Sequence, residues 1–188
     1  MKKIAITGSF ASGKSFILDL IKSLGYAVFS CDDYVRYLYE KEEIKNQVTR
    51  EIRSLEVFDK KKLAGIIYNF PEERIKLEKI IHPMVREGIF AFQDQNSDEN
   101  LLFFEVPLLF EKNFNTYFDY TICVYCDEEV RLQRAKKKKN FSNDIYEKLK
   151  QIQLSQEEKL RRADYGIKCH GNQAEIMNKI KQIIDDLL

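Results

Sequence analysis

The stretch Gly8-Ser9-Phe10-Ala11-Ser12-Gly13-Lys14-Ser15 matches the pattern G-x-x-x-x-G-K-[ST] in full. It follows the alternating apolar run Lys3–Thr7, which predicts a strand, and it precedes apolar residues at helical spacing over Ser15–Leu24. A loop between a strand and a helix can turn its backbone N–H groups toward phosphate oxygens, and glycine permits that turn because it lacks a Cβ. The stretch therefore predicts a nucleoside triphosphate site.

Each position of this phosphate loop has a chemical task. Lys14 supplies positive charge to the β and γ phosphates, the Ser15 hydroxyl is placed to ligate Mg²⁺, and the helix N-terminus adds its dipole. We predict that Lys14 is also catalytic. The predicted ATP-binding residues of the segment are Gly8, Ala11, Ser12, Gly13, Lys14, Ser15 and Phe16. The alternative, an ordinary glycine-rich turn, is disfavoured because a strand precedes the loop and a helix follows it.

The rest of the chain predicts an α/β fold of the P-loop NTPase type, with three layers and a mostly parallel sheet. Nearly continuous apolar runs are typical of strands buried on both faces. The five predicted strands are Lys3–Thr7, Tyr26–Ser30, Leu101–Val106, Tyr120–Cys126 and Tyr165–Cys169. The predicted helices that follow the third strand are Glu128–Lys139, Asn143–Gln153 and Glu175–Leu188.

Between the second and third strands, amphipathic stretches replace strand-like runs. They predict a helical insertion over about residues 34–96, inside a single domain of residues 1–188. The predicted helices of the insertion are Ile44–Leu55, Lys60–Tyr68, Glu72–Ile81 and Val85–Phe92. The last two are predicted to be separate, because His82-Pro83 interrupts the pattern.

Composition excludes several classes of protein. The 188 residues carry 31 Lys and Arg against 30 Asp and Glu, and this near neutrality argues against a general nucleic-acid binder. No apolar run approaches the ~18 residues of a membrane span, and the short apolar run after Met1 is no signal peptide, so we expect a cytoplasmic protein. The four cysteines, including Cys123-x-x-Cys126, are predicted to be packed thiols rather than metal ligands.

Other phosphate-loop proteins fit the sequence less well than a small-molecule kinase does. A GTPase needs an Asn-Lys-x-Asp motif to read guanine, but Asn178-Lys179 is followed by Ile180-Lys181. A large ATPase motor needs more chain than this protein has. The compact size and the helical insertion favour a kinase.

Two carboxylates follow the second predicted strand. Asp32 and Asp33 therefore emerge at the carboxyl edge of the sheet, where ligands bind in open α/β folds. A carboxylate there can accept the proton of an attacking hydroxyl. We predict that one of the pair is this base. The alternative is a plain helix N-cap, for which Asp is well suited, and Asp33 fits that role if Asp32 faces the site.

Further motifs give the chain a resemblance to a known family. They are Thr7-Gly8-x4-Gly13-Lys14-Ser15, Asp32-x3-Arg36, His82-Pro83-x2-Arg86, Pro107-Leu-Leu-Phe-Glu111, Arg134, Gln153 and Ala163-Asp164. In this order, over essentially the whole chain, they resemble dephospho-CoA kinase. The resemblance implies ATP-dependent phosphorylation of the ribose 3′-hydroxyl of dephospho-CoA, the last step of coenzyme A synthesis. It also implies a P-loop core, a CoA-binding helical insertion and a lid over about residues 134–153.

The resemblance also implies roles for individual residues. Arg134 is implied to be catalytic and to bind ATP together with Lys138. The implied substrate-binding residues are Thr7, Asp32, Arg36, His82, Arg86, Leu108 and Glu111. Glu105, which ends the third predicted strand, is predicted to be linked to Mg²⁺ beside Ser15.

Several of these residues have plainer alternative interpretations. His82 before a proline is commonly a packed, hydrogen-bonded residue, and Arg36 and Arg86 can lie on solvated helix faces. The run Lys136–Lys139 is either a solvated face or part of a basic lid.

The chain departs from the family pattern at four places. Ser30-Cys31-Asp32 replaces Asp-Ala-Asp, which favours Asp32 as the base, and Gly8-Ser9-Phe10-Ala11 is bulkier than the usual Gly-Gly-Ile-Gly. The lid pair Arg134-x3-Lys138 has lysine where arginine is usual, and lysine lacks the bidentate fork. Cys169-His170-Gly171 replaces the Asn-x-Gly loop near adenine.

Two other functions compete with this interpretation. One is a nucleoside or nucleotide kinase of the same architecture, and the other is a P-loop nucleic-acid-binding module that uses the lysine run. The expected partners are ATP, Mg²⁺ and dephospho-CoA, without nucleic acid or membrane. We expect a monomer or a weak homo-oligomer.

Overall fold

The computed structural model describes residues 1–53, 55–138 and 141–188. They form two compact units. The sheet unit comprises Met1–Ser30 and Gln95–Leu188, and the helical unit comprises Cys31–Asp94. Lys139, the last residue of the predicted lysine run, lies outside the described residues.

The elements follow one another in the order of an α/β chain. The strands are β1 (Lys2–Thr7), β2 (Ala27–Ser30), β3 (Leu101–Glu105), β4 (Tyr120–Tyr125) and β5 (Tyr165–Lys168). The helices are α1 (Lys14–Ser23), α2 (Cys31–Leu38), α3 (Glu42–Glu51), α4 (Lys60–Asn69), α5 (Pro71–Gln95), α6 (Glu128–Lys136), α7 (Asn143–Ile152), α8 (Gln156–Arg162) and α9 (Gln173–Leu187). A 3₁₀ turn covers Phe114–Tyr117.

The sheet has the strand order β2-β3-β1-β4-β5, and all four pairings are parallel. Ile4 of β1 lies opposite Phe103 on one side and Tyr120 on the other. The predicted five-stranded α/β fold is confirmed, and the sheet is parallel throughout rather than mostly parallel. All five strands therefore end at one edge, and β1 ends between β3 and β4, where the order of connections reverses.

The sheet is covered by helices on both faces. On one face, apolar side chains of the strands form a single buried cluster with α1 and α9. On the other face α8 packs against β4, and Gly166 lies so close to Leu160 that a Cβ would approach its side chain to 2.6 Å. Successive strand residues point to opposite faces, so the alternating apolar pattern builds both layers.

The helical unit contains α2 to α5. Gly88 of α5 lies against the ring of Tyr34 in α2, and a Cβ at this position would come within 2.6 Å of that ring. The unit begins at Cys31, three residues before the predicted start of the insertion, because α2 follows β2 without a loop.

The predicted break at His82-Pro83 is wrong, because α5 runs through Pro83 without interruption. Pro83 lacks an N–H, so the Lys79 carbonyl loses its helical partner, but both residues are exposed and water can replace that bond. Leu77, Ile81 and Val85 are buried on one stripe that continues across the proline. Packing of this stripe outweighs the local disruption.

Other helices differ from the sequence prediction, and α3 ends at Glu51 rather than at Leu55. α6 ends at Lys136 rather than at Lys139, and α8 was not predicted. Among the helices of the described residues, none combines the length and apolar character that a membrane span needs.

Candidate active site

The phosphate loop connects β1 to α1, and two of its glycines have no room for a side chain. A Cβ on Gly8 would lie 2.3 Å from the carbonyl oxygen of Val124. Gly13 has φ 109°, and a Cβ there would lie 2.3 Å from the Sγ of Cys169. Both positions therefore require glycine, one for close backbone approach and one also for its left-handed conformation.

Lys14 folds back over the loop. Its buried Nζ donates to the carbonyl oxygens of Gly8, at 3.0 Å, and Ser9, at 3.3 Å. The Ser9 and Ser12 hydroxyls are buried and have no hydrogen-bond partner within the part of the chain that the structure describes. Ser15 and Phe16, in the first turn of α1, are exposed. The loop thus gathers an ammonium group and buried hydroxyls, which suits an anionic ligand.

Ala11 occupies the loop position where the family pattern has glycine, and its φ is 62°. A left-handed backbone costs a residue with a Cβ about 1–2 kcal/mol. We therefore expect Ala11→Gly to leave the free energy of unfolding unchanged or to raise it by up to about 1 kcal/mol. In the matched control Ala64→Gly, in the middle of α4, glycine should cost about 1 kcal/mol. Urea denaturation measures both, and an equal loss in the two variants would contradict the strain at Ala11.

Arg134, on α6, reaches the back of the phosphate loop. Its Nη1 donates to the Ser12 carbonyl at 3.0 Å, and its Nη2 donates to the Cys169 carbonyl at 2.8 Å. The guanidinium is therefore held at the loop by two backbone oxygens. Lys138, two residues beyond the end of α6, is exposed.

A second contact joins the loop to the segment after α7. The backbone N–H of Phe10 donates to Oε1 of Gln153 at 3.0 Å. The Phe10 ring also meets Tyr146 of α7 edge-on, with ring centroids 6.5 Å apart. The bulky loop residue is thus packed against the segment that the resemblance assigns to a lid. A cavity of about 320 Å³ lies beside Ser9 and Gln153.

Glu105 ends β3 at the edge of the sheet to which the phosphate loop belongs. Its carboxylate is buried and accepts a hydrogen bond of 2.5 Å from the Ser30 hydroxyl. A carboxylate together with the Ser15 hydroxyl gives oxygen ligands only, which Mg²⁺ prefers, and Mg²⁺ commonly completes its shell with phosphate and water. The donor set fits a magnesium ion.

The segment Pro107–Glu111, which follows β3, contacts the end of β1 and the residues around α8. Thr7 is fully buried, and its hydroxyl donates to the Pro107 carbonyl at 3.3 Å. Leu108 is half-buried. Oε1 of Glu111 accepts a hydrogen bond from the Leu154 N–H at 2.8 Å and forms a 2.9 Å ion pair with Lys159.

Sequence reasoning missed Lys159. Its side chain is fully buried, and its Nζ also donates to the Pro107 carbonyl at 2.6 Å. Nothing local in the polar sequence of α8 indicates burial, and the partner Glu111 lies far away in the chain. The one available signal was the acid Glu111 in an otherwise apolar motif, since a buried acid needs a cationic partner elsewhere in the chain.

The helical unit carries the remaining predicted residues. Asp32 and Asp33 lie in the first turn of α2, and both are exposed. Asp33 forms a 2.5 Å ion pair with Arg36. The predicted capping role of Asp33 is wrong, because α2 already begins at Cys31 and Asp33 is inside the helix. Asp32 also raises the pKa of Tyr68, after the larger effect of that phenol's burial.

His82 and Arg86 are one helical turn apart on α5, so they share a face of that helix. His82 is half-buried and Arg86 is exposed. The predicted residues therefore fall into two groups, one in each unit. The helical-unit group is Asp32 and Arg36 on α2 with His82 and Arg86 on α5, and the remaining predicted residues belong to the sheet unit.

All four cysteines, Cys31, Cys123, Cys126 and Cys169, are buried thiols outside any disulfide. Burial raises the pKa of Cys123 to about 11, and it also raises the pKa values of Cys126 and Cys169. Because the thiolate is the nucleophile, a raised pKa lowers reactivity at neutral pH. We expect a disulfide reagent to label almost none of the four in the native protein within minutes, and all four in denaturant. Rapid native labelling of Cys123 would contradict this packing.

The loop after β5 carries Cys169-His170-Gly171. Nδ1 of His170 lies 3.1 Å from a carboxylate oxygen of Asp127, and Lys168 pairs with the other oxygen at 2.9 Å. Cys169 lies against Gly13, and its carbonyl holds Arg134. The loop after β5 therefore packs against the phosphate loop at Gly13.

Comparison with known proteins shows the family of the chain. The family model for dephospho-CoA kinase (CoaE) matches residues 2–175. The dephospho-CoA kinase of Rickettsia prowazekii is 38% identical over 187 residues, which cover 100% of this chain and 98% of the relative. The crystal structure of TT1252 from Thermus thermophilus is 28% identical, with a TM-score of 0.85, over 100% of this chain and 98% of that one. Dephospho-CoA kinase from Campylobacter jejuni is 25% identical, with a TM-score of 0.66, over 98% and 96%. The chain belongs to the dephospho-CoA kinase family.

Proposed function

We propose that this protein transfers the γ-phosphoryl group of ATP to the ribose 3′-hydroxyl of dephospho-CoA, giving coenzyme A and ADP. One observation supports the proposal most. The chain belongs to the family, and two cationic side chains, Lys14 and Arg134, contact its phosphate loop. Lys14 lies over the carbonyls of Gly8 and Ser9, and Arg134 is fixed on the carbonyl of Ser12. Two positive charges therefore flank the loop where a triphosphate binds.

In the proposed reaction the 3′-oxygen attacks the γ phosphorus, and the bond to the oxygen bridging the β and γ phosphorus atoms breaks. The proton of the hydroxyl passes to the Asp32 carboxylate. Lys14 and Arg134 stabilise the negative charge on the phosphoryl oxygens, which is the main contribution a protein makes to phosphoryl transfer. Asp32 is suited to its role because it is exposed and follows β2 by two residues.

Mg²⁺ is the proposed cofactor, with Ser15 and Glu105 as the protein oxygens that would hold it. The ion supplies charge neutralisation to the β and γ phosphates when it is bound. The buried Glu105 carboxylate is oriented by the Ser30 hydroxyl, which keeps an oxygen ligand fixed at the end of β3.

Each unit carries residues that we propose for dephospho-CoA binding. Arg36 and Arg86 are exposed cations suited to phosphate, and His82 shares a helix face with Arg86. In the sheet unit, Thr7, Leu108 and Glu111 lie at or just beyond the ends of β1 and β3. Lys138 and Phe16 are exposed and are the proposed further contacts of ATP, beside Gly8, Ala11 and Gly13.

A lid that closes over ATP would exclude water, so that transfer to a hydroxyl exceeds hydrolysis. Arg134 and α7 both contact the phosphate loop, through Ser12 and through Phe10. We expect α7 to gain protection from hydrogen exchange when a non-hydrolysable ATP analogue binds, while the core helix α9 stays unchanged. Equal protection of α7 with and without the analogue would count against a lid.

Acceptor specificity tests the proposed function. ADP release should be fast with dephospho-CoA and at least about 10²-fold slower, in kcat/KM, with AMP, CMP or nucleosides. Preference for a nucleoside or nucleotide would establish the alternative kinase. A steeply salt-dependent affinity for DNA or RNA would support the nucleic-acid-binding module. The cytoplasmic location and the monomeric or weakly oligomeric state stay predictions.

A further inference from the structure

A closed ring of contacts surrounds the start of the phosphate loop. It begins at Thr7, whose hydroxyl donates to the Pro107 carbonyl, and this same carbonyl accepts a hydrogen bond from Lys159. Lys159 pairs with Glu111 at 2.9 Å, and Glu111 accepts the N–H of Leu154 at 2.8 Å.

The ring closes through the residue before Leu154. Oε1 of Gln153 accepts the N–H of Phe10 at 3.0 Å. Thr7 and Phe10 are therefore both members of the ring. The two residues between them, Gly8 and Ser9, accept the hydrogen bonds of Lys14 through their carbonyls. The Lys159–Glu111 ion pair is thus connected to both ends of the Thr7–Phe10 segment, through Pro107 at one end and through Leu154 and Gln153 at the other.

The ion pair between Lys159 and Glu111 is buried. Lys159 is 0% exposed and Glu111 is 8% exposed at their side chains. Burial lowers the pKa of Lys159, Glu111 opposes that effect, and the charge of Lys14 adds to the lowering. A buried pair of this kind is weak evidence for stability alone, because apolar residues often replace such pairs at no cost.

We propose that the Lys159–Glu111 ion pair is a positioning element of the kinase, which fixes the Thr7–Phe10 segment, and through it Lys14, in the geometry for the triphosphate. The inference rests on the proposed use of ATP by this loop. Neither residue needs to touch the reacting atoms, since both act through Pro107 and Gln153. Glu111 then serves the loop through Oε1, and only its Oε2, which is buried and has no partner among the described residues, is left for substrate.

The test separates positioning from folding with a double variant. Lys159→Met leaves a buried carboxylate without its partner and should lower the thermal midpoint. Lys159→Met combined with Glu111→Gln removes both charges at nearly constant volume and should restore that midpoint. If the pair positions the loop, the double variant should still bind a fluorescent ATP analogue more weakly and show a roughly 10–100-fold lower kcat/KM for ATP. Wild-type binding and kinetics in a well-folded double variant would overturn the proposal.

A second cycle tests the route through Gln153. Gln153→Leu removes the acceptor of the Phe10 N–H and should reproduce part of the loss in ATP affinity. Combined with the Lys159 and Glu111 changes, it should add little, because all three break one ring. Fully additive losses would contradict the ring. Leu187→Ala, in the core cluster at the end of α9, is the control for destabilisation alone and should keep the wild-type KM for ATP.

The outcomes also separate this inference from the proposed function. If the wild-type protein binds the ATP analogue but does not phosphorylate dephospho-CoA, the proposed acceptor is wrong and the binding cycle still tests the ring. If the wild type phosphorylates dephospho-CoA and the double variant equals it, only the inference fails.

Discussion

Lys14→Ala should abolish phosphoryl transfer and leave the protein folded. The Lys14 ammonium interacts with loop carbonyls, at 3.0 and 3.3 Å, rather than with the apolar cluster of the sheet unit, so its removal costs little packing. The charge it supplies to the phosphoryl oxygens in the transition state has no substitute at that place. Losing one such group costs about 10²–10³-fold in kcat, and more where the group is also needed for binding. Steady-state ADP release with saturating dephospho-CoA measures the loss.

Lys22→Ala is the matched control for this change. Lys22 lies in the last turn of the same helix, α1, and is exposed. The Lys22→Ala change removes one positive charge from the same helix and leaves the phosphate loop intact, so kcat should be close to that of the wild type. Folding of both variants is checked by thermal denaturation. A folded Lys14→Ala protein with near wild-type kcat would end the kinase interpretation.

Asp32→Asn should lower kcat by about 10²–10⁴-fold with little change in ATP affinity, because a positioned base contributes about that much. The amide keeps the shape of the side chain and can still form hydrogen bonds, but it cannot take the proton. In a complex with substrate, the Asp32 carboxylate should lie about 2.6–3.2 Å from the acceptor hydroxyl. Single-turnover rates report the chemical step separately from product release.

Asp33→Asn supplies the comparison, since Asp33 is the next residue of α2 and is also exposed. Its carboxylate is paired with Arg36, and an exposed pair one helical turn apart contributes only about 0.3–0.5 kcal/mol. We therefore expect a far smaller loss of kcat. If the two variants exchange behaviour, the base is Asp33. If neither slows transfer, positioning and Mg²⁺ carry the reaction.

The parts of the fold that depend on local sequence were predictable. The phosphate loop between β1 and α1 follows from eight consecutive residues, because glycine requirements and the positions of Lys14 and Ser15 are set within the loop itself. The strands β3 and β4 were found from their apolar runs to within one residue. The parallel sheet then follows from alternating strands and helices.

What could not be predicted depends on contacts that are distant in the chain. Pro83 breaks a helix by local rules, yet the buried stripe of Leu77, Ile81 and Val85 holds α5 together. The short helix α8 has the composition of a solvated segment, and only the acid at Glu111 explains why Lys159 is buried. The grip of Arg134 on the Ser12 and Cys169 carbonyls likewise needs three elements in their folded positions.

Transfer of label from ATP marked at the γ phosphorus tests the central claim most directly. With dephospho-CoA as acceptor, the label should appear in a product that coelutes with coenzyme A, and phosphorus–proton coupling in the NMR spectrum should place it on the ribose 3′-oxygen. The Lys14→Ala variant should leave the label in ATP. Label found on water as inorganic phosphate, on a nucleotide acceptor in preference to dephospho-CoA, or on another oxygen of dephospho-CoA would contradict the account.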